Sequence, residues 1–434
     1  MDDQTLTYRD TIRWLFDLQF VGIKLGLDNI RSLAAFWDNP HLRYPVIHIA
    51  GSNGKGSTAS FIASTLQAAG YRTGLYTSPH LVDFSERIRV DGVCISEERV
   101  LAYARALRPE IDRLKATFFE ATTLMAFQYF AEENVDVAVI ETGLGGRLDA
   151  TNLVSPVMTV ITSLSIEHRE FLGDTIEAIA AEKAGIMKPG IPCVTPNRDE
   201  GVLEVLRRHA VACEAPLHPV AVPEAAPVLL DLDRMECLLP GFDHSVDIGL
   251  VGTHQVENAC TAVTALRQLA AGGFSRVTNA SIAQGLLEVR TRSGIRGRLE
   301  QLQRHPELVA DVGHNPDGIR AMLQCWQQVR DIKKTDLVFG VLKSKDLLGI
   351  FHTLTRYSPR SITLVQAVSH EARSLEEMLH EATRVGITAE GAGSAREAVL
   401  RKLEHAGDGA VLLFGSHYVV GAFLQEWEKK HKLR

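Results

Sequence analysis

The sequence predicts an α/β protein: a doubly wound central sheet carrying a glycine-rich loop, with a small β excursion, followed by a second α/β domain. Three observations lead there. Short apolar runs, nearly unbroken, recur as PVIHIA (45–50), VDVAVIET (135–142) and VMTVITS (157–163), as expected of parallel strands covered on both faces. Segments with helical spacing lie between them, at 57–69, 98–115 and 120–133. After residue 297 the same rhythm restarts in ELVADVG, DLVFGVL, SITLVQ and GAVLLFGS, which makes the second domain Rossmann-like.

The elements follow in order. Residues 1–40 read as helices, with apolar spacing through TIRWLFDLQF and IRSLAAFW. A glycine-rich turn follows PVIHIA and opens the helix that ends at Gly70, and RTGLYTS adds another strand. Residues 214–250, with several prolines and short alternating runs, form the β excursion. Helices return at 254–271 and 279–289, and TRSGIRGR (291–298) supplies glycine and charge without an apolar face, as a linker does. The expected domains are therefore 1–296 and 297–434.

The 434 residues exceed what one core usually supports. With 45% hydrophobic and 23% charged residues the composition is ordinary for a globular protein. A net charge of −7 without a dense Lys/Arg run argues against nucleic acid as a partner, and the C-terminal EKKHKLR reads as a solvated helix end. The apolar runs are too short to span a membrane, and no signal peptide is evident, so the cytoplasm is expected. Six scattered cysteines without a C-x-x-C pair exclude a zinc ribbon or redox motif.

The loop Gly51-Ser52-Asn53-Gly54-Lys55-Gly56-Ser57-Thr58 follows a strand and opens a helix, the setting in which such a motif binds nucleotide phosphates. Glycines let successive amides face the phosphates, and the helix adds its positive end. Lys55 reaches the β- and γ-phosphates, and Ser57 or Thr58 offers a hydroxyl to Mg²⁺. The loop therefore implies ATP. Glu141, closing a buried strand before GLGG, fits the acid that such a site needs, and His168 follows the next strand. Lys183, by composition alone, is a surface lysine. In the second half, Asp311 and His314 follow a strand in ADVGHNPDG, where Pro316 is an ordinary early-helix residue. HQVEN (254–258) opens a helix with polar residues that serve as caps or face nucleotide.

Together, and in this order, GIKLGLDNI, IHIAGSNGKGS, YTSPHL, FSERIRVDG, ETGLGGRLDATN, SIEH, EKAGIMK, THQVENA, GRLE, DVGHNP, KSKDL and LLFGSHYVVG resemble the folylpolyglutamate synthase family of Mur-like amide ligases. The resemblance implies that ATP phosphorylates a substrate carboxylate and that L-glutamate attacks the acyl phosphate. It implies small-molecule substrates: folate or dihydropteroate, L-glutamate and ATP. It assigns Lys55 and the loop to the ATP phosphates, Asn258 and Arg298 to ATP, and Asp311 to the nucleotide side as well as to glutamate. Ser57, Glu141 and His168 would ligate magnesium, with two ions expected, and Lys183 would become a carbamate beside the second. Asp311, His314 and Ser416 would place glutamate. Ser78 and His80 would lie beside the acyl site, and Phe119 in TFFEATT would line a pterin pocket. The helical opening and TFFEATT favour bifunctional members, which also join dihydropteroate to glutamate, over monofunctional ones. A monomer is expected.

Three departures stand out. Ser52 replaces a frequent threonine, Arg296 stands where the linker commonly has proline, and Glu167 replaces a frequent aspartate. The missing proline predicts a less stiff linker. Two rival classes fit the sequence less well. A muramyl-peptide ligase would place a domain of ~100 residues before the ATP domain, and only 50 precede Gly51. A nucleotide-switched binding protein would need neither Asp311 and His314 nor the second α/β domain.

Overall fold

The computed structural model describes residues 7–18, 26–223, 227–229 and 231–431. Parts of the expected N-terminal helix (Gln19 and Phe20) and of GIKLG (22–25) lie outside them, as do the last residues of EKKHKLR.

The first sheet has eight strands: β1 (Val46–Ala50), β2 (Thr73–Tyr76), β3 (Ile88–Val90), β4 (Val93–Cys94), β5 (Val137–Glu141), β6 (Pro156–Ile161), β7 (Cys193–Thr195) and β8 (Leu217–Pro219). Their order is β4-β3-β2-β5-β1-β6-β7-β8, parallel except for the β2-β3-β4 edge. Every residue of β1 and β5 is buried, which explains their unbroken apolar sequence. The chain leaves β1 between β5 and β6, and the register sets Ile49 beside Glu141 and Ala50 beside Ile161. Three loops thus start at one sheet edge, at the switch point where such sheets bind ligands.

The helices needed below are α1 (Tyr8–Asp17), α2 (Lys55–Ala68), α3 (Phe118–Glu132), α4 (Ile176–Ala184), α5 (Thr253–Ala271), α6 (Pro316–Val329) and α7 (His417–His431). Helix α3 begins with a capping box, in which Thr117 and Glu120 satisfy each other's main-chain N–H.

The excursion is a three-stranded antiparallel sheet of β9 (Val228–Leu229), β10 (Met235–Leu238) and β11 (Ser245–Ile248). The last sheet contains β12 (Glu300–Gln303), β13 (Glu307–Asp311), β14 (Thr335–Gly340), β15 (Ser361–Val365), β16 (Glu390–Ala392) and β17 (Ala410–Gly415), ordered β12-β13-β17-β14-β15-β16. Only β12 is antiparallel there.

By contacts the chain divides into two compact units. The first takes the described residues of 1–224, 239–244 and 257–294, and the second those of 225–238, 245–256 and 295–434. The sequence reading kept the excursion with the first domain, whereas its three strands group with the second unit. Sequence order hides this because the excursion interrupts one unit and contributes to the other. The linker also starts later than read, since Thr291 to Ser293 still belong to a helical turn ending at Gly294.

His48 shows how polar groups are accommodated inside β1. Thr151 donates its hydroxyl hydrogen to Asp149, so it accepts from His48 Nε2–H at 2.8 Å. Burial first, then Lys188, pushes the His48 pKa down to about 3 from 6.5. The unfolded chain takes up this proton first, so the contribution is complete above pH 6.5 and is lost as pH falls through about 3. His48→Gln keeps a donor for Thr151 and removes the titration. Urea unfolding of the first unit at stepped pH should show the acid-side slope reduced by up to about 1.4 kcal/mol per pH unit. An unchanged slope would exclude His48 as the group taking up the proton.

Candidate functional site: a phosphate loop with a buried lysine

The loop after β1 is held from outside before any ligand arrives. Ser52 and Asn53 donate their amides to the Ser163 carbonyl at 3.0 and 3.1 Å, and the Thr162 hydroxyl donates to the Asn53 carbonyl at 2.8 Å. The Ser52 hydroxyl reaches the Ser165 carbonyl at 3.1 Å, and the Asn53 side chain donates to the Ser165 hydroxyl at the same distance. Gly51 has φ +152, and a Cβ there would lie 1.8 Å from Thr162 Oγ1. Gly54 starts α2 in the left-handed region, and its Cβ would lie 2.1 Å from Asn258 Oδ1. Asn258, expected at ATP, therefore sits directly on the loop. Gly56 follows in the first turn of α2. Ser57 is 2% exposed, and Thr58 is sealed within the helix with its hydroxyl unpartnered.

Two ammonium groups converge on the Gly51 carbonyl. Lys55 Nζ donates to it at 2.9 Å and to the Ser52 carbonyl at 3.2 Å. Lys183 Nζ donates to the same oxygen at 2.8 Å and pairs with Glu167 at 3.0 Å. Lys183 is 2% exposed, which corrects its reading as a surface lysine. A usable signal was present: Lys183 falls on the same face of α4 as buried Ile179 and Ala180, at i+4 and i+3. Burial, with Lys55 acting in the same direction and Glu167 against it, brings its pKa down to about 8. Burial pushes the Glu167 carboxyl up, but Lys183 and Lys55 outweigh it and hold it at about 2. The acid that departs from the family pattern thus faces the lysine.

Glu141 ends β5 almost fully buried, and its carboxylate accepts the Ser78 amide at 3.2 Å. This bond joins the TSPHL loop to the acid. Beyond Glu141, buried Asp149 accepts the amides of Gly143, Leu144 and Thr151 at 2.9, 2.8 and 3.0 Å and so shapes the GLGG turn. A Cβ at Gly143 would lie 2.4 Å from the Phe119 ring, so Phe119 lies on this turn. The Arg147 amide donates to the Glu182 carbonyl at 2.8 Å, fastening the same turn to α4. His168 is half-buried and left-handed, at φ 46 and ψ 43, and introduces a short turn over Arg169–Leu172.

In the second unit, Asp311 closes β13 beside Phe414 of β17. Its oxygens accept the Gly313 amide at 2.7 Å and the Leu299 amide at 2.9 Å. The His314 Nδ1–H donates to the Val312 carbonyl at 2.8 Å. The His314 ring lies 5.6 Å from that of His417, and buried Ser416 stands between β17 and α7. Arg298 donates to the Gly297 carbonyl at 3.1 Å and lies close enough to buried His254 to depress its pKa, after burial, to about 4. His254 was not singled out from the sequence.

Where the proline is missing, the linker carries ion pairs. Arg296 Nε and Nη2 grip Glu300 at 2.9 and 2.8 Å, and Nη1 pairs with Glu428. The Gly297 amide donates to Glu300 at 2.7 Å, and Gly297 has φ +64. Ion pairs here restrain what proline would restrain covalently.

Among the described residues no group of three His, Cys, Asp or Glu side chains is arranged to hold a metal ion, and no helix is long and apolar enough to cross a membrane. Of Ser57, Glu141 and His168, the residues expected at magnesium, only two are of these types.

A phosphate loop at a sheet switch point, a buried lysine on it, and a second parallel sheet with its own polar strand ends define an ATP-dependent ligase. The Mur ligase middle domain matches residues 49–266, and the Mur ligase glutamate ligase domain matches residues 297–417. A dihydrofolate synthase/folylpolyglutamate synthase of Bacillus subtilis is 37% identical over 358 residues, covering 78% of this chain and 80% of its own. Mycobacterium tuberculosis folylpolyglutamate synthase, solved with ADP and AMPPCP, superimposes with a TM-score of 0.83 at 29% identity, over 95% of this chain and 98% of that one. An FPGS–AMPPCP–folate complex matches with a TM-score of 0.80 at 28% identity, over 97% of this chain and 100% of that one. The chain belongs to the folylpolyglutamate synthase family of Mur-type ligases.

Gly54→Ala should lower affinity for ADP by about tenfold or more in calorimetry, because both the backbone and Asn258 resist the new methyl. Adding Asn258→Gly should recover only part of the loss, since the φ penalty remains. Full recovery would show that the clash alone matters.

Proposed function

We propose that the chain uses ATP to activate the free carboxylate of a folate-type substrate and joins it to the amine of L-glutamate, accepting dihydropteroate as well as tetrahydrofolate. The observation that carries this reading is Lys183, a buried amine 2.8 Å from the carbonyl of the phosphate loop. A phosphate switch or a motor has no evident use for a desolvated lysine there. An amide ligase does, because the lysine can become an anion. With a pKa of about 8, on the order of a tenth of the amine is neutral at pH 7 and can add CO₂, releasing one proton.

The substrate carboxylate attacks the γ-phosphorus, giving an acyl phosphate and ADP. The glutamate amine then attacks the acyl carbon, loses its proton, and the tetrahedral intermediate expels phosphate. A bare carboxylate is too poor an electrophile for direct attack. Lys55, the loop amides, Asn258 and Arg298 hold ATP, and Lys55 exchanges the loop carbonyls for phosphate oxygens. Ser57, Glu141 and His168 would hold magnesium, with carbamylated Lys183 beside a second ion, and a buried carboxylate next to a hydroxyl suits a small hard cation. When bound, magnesium would offset charge on the transferred phosphoryl group. Ser78, His80 and Phe119 receive the acyl substrate; Asp311, His314 and Ser416 receive glutamate, with Asp311 also serving nucleotide.

Acceptance of dihydropteroate is supported by the double name of the Bacillus relative and by Phe119 lying on the GLGG turn. We also place the domain boundary at 297, take the monomer as the working unit, and assign the chain to the cytoplasm, where six unpaired cysteines fit a reducing compartment.

Purified enzyme with ATP, Mg²⁺ and glutamate should release phosphate only when dihydropteroate or tetrahydrofolate is added. Product from tetrahydrofolate alone would make the enzyme monofunctional, and release indifferent to both would sink the ligase reading. Lys55→Ala should abolish turnover while the melting temperature stays near that of the parent. Lys183→Ala should lose activity yet retain ATP binding, with partial rescue by a short carboxylate such as acetate. Full activity without rescue would remove Lys183 from the site.

A further inference from the structure

The TSPHL loop is fixed from several sides. Glu86 accepts the amides of Leu81, Val82 and Asp83 at 2.8, 3.0 and 3.0 Å. Asp83 accepts the Ser85 amide at 2.8 Å and the Tyr8 hydroxyl of α1 at 3.0 Å. Arg87 closes the loop, since its carbonyl accepts the Thr77 amide at 3.1 Å and its Nε–H donates to His80 Nδ1 at 2.8 Å.

That last bond decides the tautomer. A guanidinium has only donors, so His80 Nδ1 must be the bare nitrogen and Nε2 must carry the hydrogen. Arg87 is itself 6% exposed, with its guanidinium carbon 5.1 Å from the centre of the Phe118 ring. It therefore has little freedom to release the imidazole. Burial, then Arg87, pushes the His80 pKa down to about 3, with Asp83 opposing, so the ring stays neutral. Around it stand Phe16 at 5.7 Å and Phe84 at 6.4 Å between ring centres, while Phe118 stacks on Phe16 at 5.2 Å. Among the described residues His80 Nε2 has no hydrogen-bond partner.

We propose that Arg87 is a positioning residue for the acyl substrate: it locks His80 as a neutral Nε2–H donor, set among aromatic rings, for an acceptor atom on the substrate's aromatic portion. Arg87 touches no reacting atom and acts through His80. A donor that is neutral and pre-oriented suits a carbonyl oxygen or ring nitrogen, and it loses little entropy on binding. The inference rests on the reading of TSPHL as part of the acyl site.

The test joins spectroscopy to kinetics. In ¹⁵N-histidine-labelled wild-type protein, the His80 signals, identified by their absence in His80→Phe, should have the shifts of an Nε2–H tautomer. Arg87→Met should mix the tautomers and raise the KM for the pteroate or folate substrate by about tenfold, leaving the KM for ATP within about twofold. Arg87→Lys, which retains a donor, should fall between. In a His80→Phe background, Arg87→Met should add less than about twofold, because the two residues act as one unit. An Nδ1–H tautomer in wild type overturns the proposal, as does a full tenfold loss in the His80→Phe background or an equal rise in the KM for ATP. If Arg87→Met does not fold, the wild-type tautomer and the Arg87→Lys kinetics still decide. If only the reading of the loop is wrong, the Nε2–H tautomer persists while His80→Phe leaves the acyl KM unchanged.

Discussion

The Gly51 carbonyl, which binds two ammonium groups, one of them buried, is the point on which the phosphate loop depends. Removing a lysine from solvent costs several kcal/mol unless other groups replace its hydration. Glu167 supplies the counter-charge for Lys183, and the loop supplies a carbonyl dipole. Lys55 uses the same carbonyl, so the two like charges oppose each other across one oxygen. The loop thus gathers two positive charges, with Glu167 paired to one of them. A polyphosphate is the ligand that relieves this imbalance, and the arrangement favours its entry before any metal is considered.

The sequence displayed its fold and its site unequally, for physical reasons. Strands β1, β5 and β6 were legible because burial on both faces leaves an unbroken apolar run. The glycine loop was legible because only glycine tolerates the conformations at Gly51 and Gly54. The short outer strands β3, β4, β7 and β8 were not, since two or three residues carry no periodicity. Lys183 shows the opposite failure: its residue type signals exposure, while its position on α4 signals burial. Residue type outweighs position in such a reading, and the role expected of Lys183 comes from resemblance alone. Arg296 taught a related lesson, because a missing proline is visible in one dimension, whereas the partner Glu428 is 132 positions away along the chain. The grouping of the β excursion was hidden in the same way.

The GLGG turn makes the first unit more than a nucleotide holder. Asp149 gathers three amides, Gly143 accepts the Phe119 ring, and the Arg147 amide reaches the end of α4. One turn therefore couples the acid at Glu141, the ring of Phe119 and the helix of Lys183. The buried Asp149 carboxyl is pushed up by desolvation, and its four donors oppose that shift. Such a carboxylate is affordable only because it replaces main-chain bonds that the glycine-rich turn cannot make with itself.

The same solution recurs at each proposed substrate residue. Glu141 accepts the Ser78 amide, Asp311 accepts those of Leu299 and Gly313, His314 is tied to a carbonyl and His80 to Arg87. In each case one side of the functional group is committed to the protein. For the two histidines the choices are opposite. His314 gives its Nδ1 hydrogen to the main chain, whereas His80 Nδ1 accepts from Arg87. On the proposed reading, His80 addresses an acceptor atom of the pteroate and His314 stands on the glutamate side. For His80 the choice is written into hydrogen-bond direction rather than charge, because a guanidinium can only donate.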